Sequence, residues 1–242
     1  MYLLRLPGHP DVFFYSVRNA GSSANFLCIL DETASIYDRY MGEMRGRPLT
    51  VRLVRPNEIP ECIRELSEIR LAASYRYPSQ AVYQFAHELC HFRIENPVCE
   101  SLRWLEESFC EAGSHFVLRR LTPSVFLQGG HEALAEYAPK FSKYSEEILS
   151  TAKEVDLADP DQIRRFTMNC YLREENLCAA EQLLDAVSQR PDLWKAVCYL
   201  GHVPEGFSFY DSLSIWRQHC PADLRSAVDL VCRIFREPGR LG

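Results

Sequence analysis

Residues 79–118 read SQAVYQFAHELCHFRIENPVCESLRWLEESFCEAGSHFVL, and the fold turns on how this stretch divides. Its first half contains His87-Glu88-Leu89-Cys90-His91, an HExxH string. On a helix turning about 100° per residue the two histidines stand one turn apart on the same face. Val82, Phe85, Leu89 and Phe92 form the apolar stripe opposite, Ser79 after Pro78 is placed to cap the start, and Pro97 marks the end. Two imidazoles at i and i+4 can share one tetrahedral zinc ion. Glu88, about 100° round from His87, can reach the open coordination position without binding the ion, as a general base must.

The second half supplies acids. Leu105, Phe109, Ala112 and Phe116 fall on one side of a second helix starting near Ser101, while Glu107, Glu111 and His115 run at i, i+4 and i+8 on the other. Carboxylates on the inner side of such a helix are costly to bury without a partner, and a metal already held by two histidines is one. Glu107 is therefore the expected third ligand, brought to the depth of the histidines by an antiparallel helical hairpin. Glu111, one turn further, can accept the free ring N–H of His87 and fix its tautomer. His115 either continues this stripe towards the site or satisfies itself in the core. Cys90, about 300° round from His87, reads as packing; Cys110 lies in the second predicted helix beside apolar residues.

QFAHELCH followed by WLEESFCE resembles the gluzincin metallopeptidases, in which HExxH is followed on a second helix by a zinc-binding Glu, often within a sequence such as WLNEGF. Aligned on Trp104 and Leu105, the family Glu falls on Glu107, with Glu106 and Glu111 as alternatives because the interval from His91 is short. The resemblance covers roughly 40 residues and draws its specificity from the two motifs occurring together. It implies a zincin-like catalytic domain, an outer-sphere carboxylate that Glu111 would match, and a strand edging a substrate cleft. That strand would be Glu68 to Tyr75, with Ala72, Ala73 and Ser74 offering backbone groups to an extended peptide. No Gly-x-Met-Glu-Asn aminopeptidase signature is present, and no downstream Tyr or His matches the family's transition-state stabiliser. Tyr137, Tyr171 and Tyr210 are conceivable oxyanion donors, although tyrosines at helical spacing are more often core.

The whole chain sets bounds on these readings. Its 242 residues suffice for one large domain, or for a catalytic domain with an appendage. A net charge of −6, with no basic block larger than Arg45-Gly46-Arg47, argues against nucleic acid as a partner. Ten scattered cysteines and a start, MYLLRLPGHPDVFF, interrupted by Arg5, Pro7, Gly8 and Pro10 predict reduced thiols in a cytoplasm rather than a secreted disulfide framework. No run of about 18 apolar residues is available to span a membrane.

Along the chain, Asp11 to Val17, Asn25 to Leu30 and Thr50 to Arg55 read as strands. Asp31 to Gly42 and Ile59 to Leu66 read as helices. Beyond Gly129-Gly130 the pattern is helix after helix: 131–138, 139–152, 160–188 with a break near Asn169 or Asn176, 191–200, 209–219 and 221–235. The expected class is α+β, with a zincin-like domain over 1–128 (small mixed sheet, HExxH helix and Glu helix) and an all-helical lobe over 129–242. The leading expectation is a zinc-dependent hydrolase acting on a peptide or protein substrate. The alternative is a non-enzymatic module of the same fold that keeps the metal as a staple or a partner-binding surface.

Overall fold

A computed structural model describes residues 1–44 and 46–235, which leaves Arg45 of the small basic patch outside the described residues. Five strands form one mixed sheet in the order β1-β2-β3-β5-β4: β1 (Tyr2–Arg5), β2 (Val12–Ser16), β3 (Leu49–Leu53), β4 (Glu61–Ile63) and β5 (Glu68–Leu71). β2, β3 and β5 run parallel to one another, with Phe14 opposite Val51 and Val51 opposite Ile69. β1 and β4 close the two edges antiparallel. One face of the sheet carries Val12, Phe14, Leu49, Val51, Ile69 and Leu71, all buried. On the other, Arg52 and Arg70 clasp Glu68. Burial alone would raise the Glu68 carboxyl, but the hydrogen bonds from the two guanidinium groups outweigh it and hold the group below its ordinary value.

The mixed α+β class agrees with the sequence; three local expectations do not. Asn25 to Leu30 lies inside α1 (Ala20–Met41), the crossover between parallel strands β2 and β3. Its apolar run is short and fully buried, a pattern that does not separate strand from helix. What decides is the cap: Asn19 Oδ1 accepts from Ser22 N at 2.9 Å, and the helix then runs unbroken to Gly42, whose φ of 95° stops it. Ile59 to Leu66 is not a helix but β4 followed by a single 3-10 turn, Arg64–Leu66, closed by Ser67 at φ 48°. Finally, β5 is an interior strand, paired with β3 on one side and β4 on the other, so Glu68 to Tyr75 is not a free edge.

Eleven α-helices are present among the described residues, and they match the expected helical run after Gly130 with small shifts of boundary. Those that follow α1 are α2 (Pro78–Arg93), α3 (Arg103–Leu118), α4 (Pro123–Gln128), α5 (Glu132–Tyr137), α6 (Pro139–Leu149), α7 (Pro160–Met168), α8 (Arg173–Gln189), α9 (Leu193–Val197), α10 (Phe209–His219) and α11 (Arg225–Ile234). The break between α7 and α8 begins at Asn169. None of the helices is long and apolar enough to cross a membrane. None of the ten cysteines is joined in a disulfide.

Contacts divide the chain into two compact units, and not at the linear boundary 128/129. One comprises Met1–Phe92 and Gly113–Glu147; the other comprises Arg93–Ala112 and the chain from Ile148 on. The first unit holds the sheet, α1, most of α2, the end of α3, α4, α5 and most of α6. The second is built on aromatic packing: Trp104 lies 5.0 Å from Phe166, 5.1 Å from Phe209 and 5.3 Å from Phe235, ring centre to ring centre. Trp216 Nε1 donates to Ala196 O, which lets the indole be buried without an orphan donor.

Two stability predictions arise from this framework. In the second unit a β-carbon at Gly201 would sit 2.1 Å from the Asn96 carbonyl oxygen, a backbone atom that cannot step aside. Gly201→Ala should therefore cost about 2–3 kcal/mol, seen as a lower urea midpoint at unchanged slope.

In the first unit, His9 sits between two acids, with Nδ1 2.7 Å from Asp31 and Nε2 3.5 Å from Asp38. Burial by itself pulls this imidazole down, but its hydrogen bonds and charge interactions with the two aspartates prevail and raise it to about 9. Its contribution to stability is complete below the ordinary histidine value of about 6.5 and is lost as pH rises through about 9. A loss on the order of 2–3 kcal/mol over that window is expected in wild type, and His9→Gln should flatten it.

Candidate metal centre

The apolar stripe that makes α2 a helix is buried as the sequence requires: Val82, Phe85 and Leu89 are wholly enclosed and Phe92 nearly so. Pro78 occupies the first helical position, so Ser79 belongs to the first turn rather than capping it. On the other side, His87 and His91 remain partly exposed with ring centres 5.1 Å apart, and Glu88 between them is 6% exposed. The partly exposed histidine pair and the buried acid are what a ligand pair beside a proton acceptor requires.

The C-terminal half of α3 is fixed against the N-terminal half of α2. Ser114 Oγ donates to Tyr83 O at 2.9 Å, and the His115 ring meets the Tyr83 ring edge-on at 5.8 Å. His115 Nδ1 is 2.9 Å from Ser145 Oγ, so this wholly buried imidazole has a core partner. One turn before Ser114 is Cys110, and one turn after Tyr83 is His87.

Among the described residues, the metal-binding atoms that gather are those of His87, His91 and Cys110, all within 4.8 Å of one another. Of the ligands expected from the sequence, His87 and His91 belong to this group. Glu107 is outside the cluster, and so are its alternatives Glu106 and Glu111, both 6% exposed. Glu107 is close enough to Cys170 and Tyr171 to act on both. Burial raises the Cys170 thiol first and the Glu107 charge adds to it; Tyr171 is raised by Cys170 and then by Glu107.

A tetrahedral ion with Zn–N near 2.1 Å and Zn–S near 2.3 Å sets its donors roughly 3.4–3.6 Å apart, a short closing movement from what is observed. Two imidazoles and a thiolate suit zinc, cobalt or ferrous iron and disfavour magnesium or calcium. One fully buried side chain, Cys110, was missed by the sequence reading. It lies three residues past Glu107, only about 60° round the same helix, so the signal was present but indistinguishable from a packing cysteine.

The expected substrate-binding residues lie beyond the end of β5, in its connection to α2. Ala72 and Ala73 are 3% and 4% exposed, and the Ala72 carbonyl accepts from Gln84 Nε2 at 3.4 Å. Ser74 makes the turn into α2, its carbonyl accepting from Tyr77 N and its hydroxyl from Arg76 N. Of the three tyrosines named as oxyanion donors, Tyr137 pairs with Ser79 Oγ at 3.2 Å, whereas Tyr171 is 75% exposed beside Glu107.

Comparison with known proteins finds no family model, no curated protein and no solved structure that matches this chain. The resemblance to gluzincins accordingly rests on the two motifs alone.

Proposed function

We propose that this chain is a metal-dependent hydrolase of amide bonds, holding a zinc-class ion with His87, His91 and Cys110 and using Glu88 as its general base. The observation that carries the reading is the three-donor cluster on α2 and α3, with Glu88 next to His87 in the chain. A bound ion of this class supplies an acidified water and a Lewis acid for the carbonyl oxygen of a substrate. The rest falls to the chain. His87 and His91 bind as neutral imidazoles and Cys110 as a thiolate, so loading releases protons and weakens as pH falls. Glu88, 6% exposed, takes a proton from the attacking water and returns it to the leaving amine. A peptide or protein is the substrate class, and a reducing compartment such as the cytoplasm keeps Cys110 competent as a ligand.

The test separates this reading from a metal-stapled module without activity. Protein purified without added metal is analysed for its elements, then chelated and reloaded while thermal stability and cleavage of a peptide library are followed together. At a hundredfold excess of metal over its Kd, reloading should restore about 2.7 kcal/mol, or roughly 5–10 °C in Tm, and cleavage should return with it. Stability that returns alone identifies a staple, and a chain that takes up no metal overturns the site.

A further inference from the structure

A cavity of about 530 Å³ opens between the start of α2 and α6, and none of its lining residues belongs to the metal cluster. Its wall is built: Ser79, 6% exposed, bonds the Tyr137 hydroxyl at 3.2 Å and donates to the Lys140 carbonyl at 3.5 Å, tying α2 to α6. Two ammonium groups face this space, against one carboxylate. Lys143 shares Glu147 at 3.6 Å, whereas Lys140 meets no acid among the described residues and rests its Nζ 4.9 Å from the Tyr137 ring. The first turn of α2 contains no acidic residue to compete for these lysines. The Tyr77 hydroxyl and the Gln80 amide, both lining the cavity, have no hydrogen-bond partner among the described residues. The cavity thus concentrates cationic and neutral donors, with aromatic rings on its walls, in a chain whose net charge is −6.

We propose that this cavity binds an anionic group, a phosphate or a carboxylate, between Lys140, Lys143 and the donors of Tyr77 and Gln80. An ammonium without an acid, opposite neutral donors, is the complement of an oxyanion. The tyrosine rings favour a small organic ligand bearing that group over the bare ion.

The test titrates the intact chain with inorganic phosphate, and with a short peptide bearing a free C-terminal carboxylate, at ionic strength held constant with potassium chloride. Calorimetry and the thermal midpoint are read in each case. Saturable binding of either probe is expected in wild type, at least tenfold weaker in Lys140→Gln/Lys143→Gln and unchanged in Lys195→Gln, an exposed lysine elsewhere. Far-UV circular dichroism confirms that the double variant is folded. Phosphate alone binding points to a phosphorylated ligand; the peptide alone, and not its C-terminal amide, points to a chain end. The proposal is overturned if neither probe binds beyond the chloride control, or if the double variant binds as wild type does.

Discussion

Cys110→Ser is expected to bind zinc at least about 100-fold more weakly than wild type, while Glu107→Gln binds it unchanged. The lower bound comes from groups that merely support metal ligands, whose loss already costs 10–100-fold in affinity. A serine hydroxyl is harder than a thiol and does not ionise near neutral pH, so it replaces the sulfur in shape but not as a donor. Cys110 is wholly enclosed, and the exchange removes no carbon atom, so the α3 backbone should persist. Cobalt gives a direct readout, because a thiolate ligand produces a charge-transfer band in the near ultraviolet that an oxygen ligand does not. The band should appear in wild type and in Glu107→Gln and be absent in Cys110→Ser. The opposite pattern, metal lost with Glu107 and kept without Cys110, would restore the carboxylate ligand expected from the sequence and remove the thiolate.

A sulfur in place of a carboxylate would alter what the proposed site can do. Both carry one negative charge when bound, so the charge balance is the same, but the thiolate is softer and donates more strongly, which favours zinc, cobalt or ferrous iron over manganese. It also exposes the centre to oxidation, since a thiol that has left its metal can climb the sulfenic and sulfinic ladder. Prolonged chelation in air should therefore reduce the metal that can be reloaded, whereas chelation under reductant should not.

Much of the candidate site was legible because α2 states its own phase. An apolar stripe at 82, 85, 89 and 92 fixes which way 87 and 91 face, and the structure buries that stripe. That Cys110 gathers with the two histidines was not legible, for a physical reason. Helical periodicity gives the angle of a residue round its own axis, not its height against a neighbouring helix. The height here depends on where α3 touches α2, namely Ser114 at the Tyr83 carbonyl, and no spacing in the sequence announces that contact. Glu107 and Cys110 differ by about 60° in angle and by about 4.5 Å in height along α3, so angle alone does not choose between them. A similar limit governed the sheet. Glu68 to Tyr75 has the alternation of a strand, yet whether a strand is interior or edge depends on Glu61 to Ile63, whose three residues after Pro60 read more readily as a helix start. The Phe26 to Leu30 run failed differently, because a buried helix and a buried strand look alike over five residues and only the Asn19 cap separates them.

Glu88→Gln should lower turnover by about 10²–10⁴-fold while leaving bound metal at the wild-type ratio. Glutamine keeps the shape of the side chain and its capacity to accept a hydrogen bond, but it cannot take a proton from water at neutral pH. Because Glu88 is not among the three gathered donors, its loss should not move metal content or the thermal midpoint of the loaded protein beyond a small change. His87→Ala is the opposing control: it removes a donor, so metal and turnover should fall together. A general base also predicts partial recovery in Glu88→Asp, where the carboxylate survives but is withdrawn by one methylene, and none in Glu88→Ala. Single-turnover cleavage of a peptide library, read beside elemental analysis of the same samples, distinguishes the cases. Metal lost equally in Glu88→Gln and His87→Ala would make Glu88 part of the metal-holding structure. Turnover within a few-fold of wild type in Glu88→Gln would leave the histidines and the cysteine as a metal site without the base that the hydrolase reading needs.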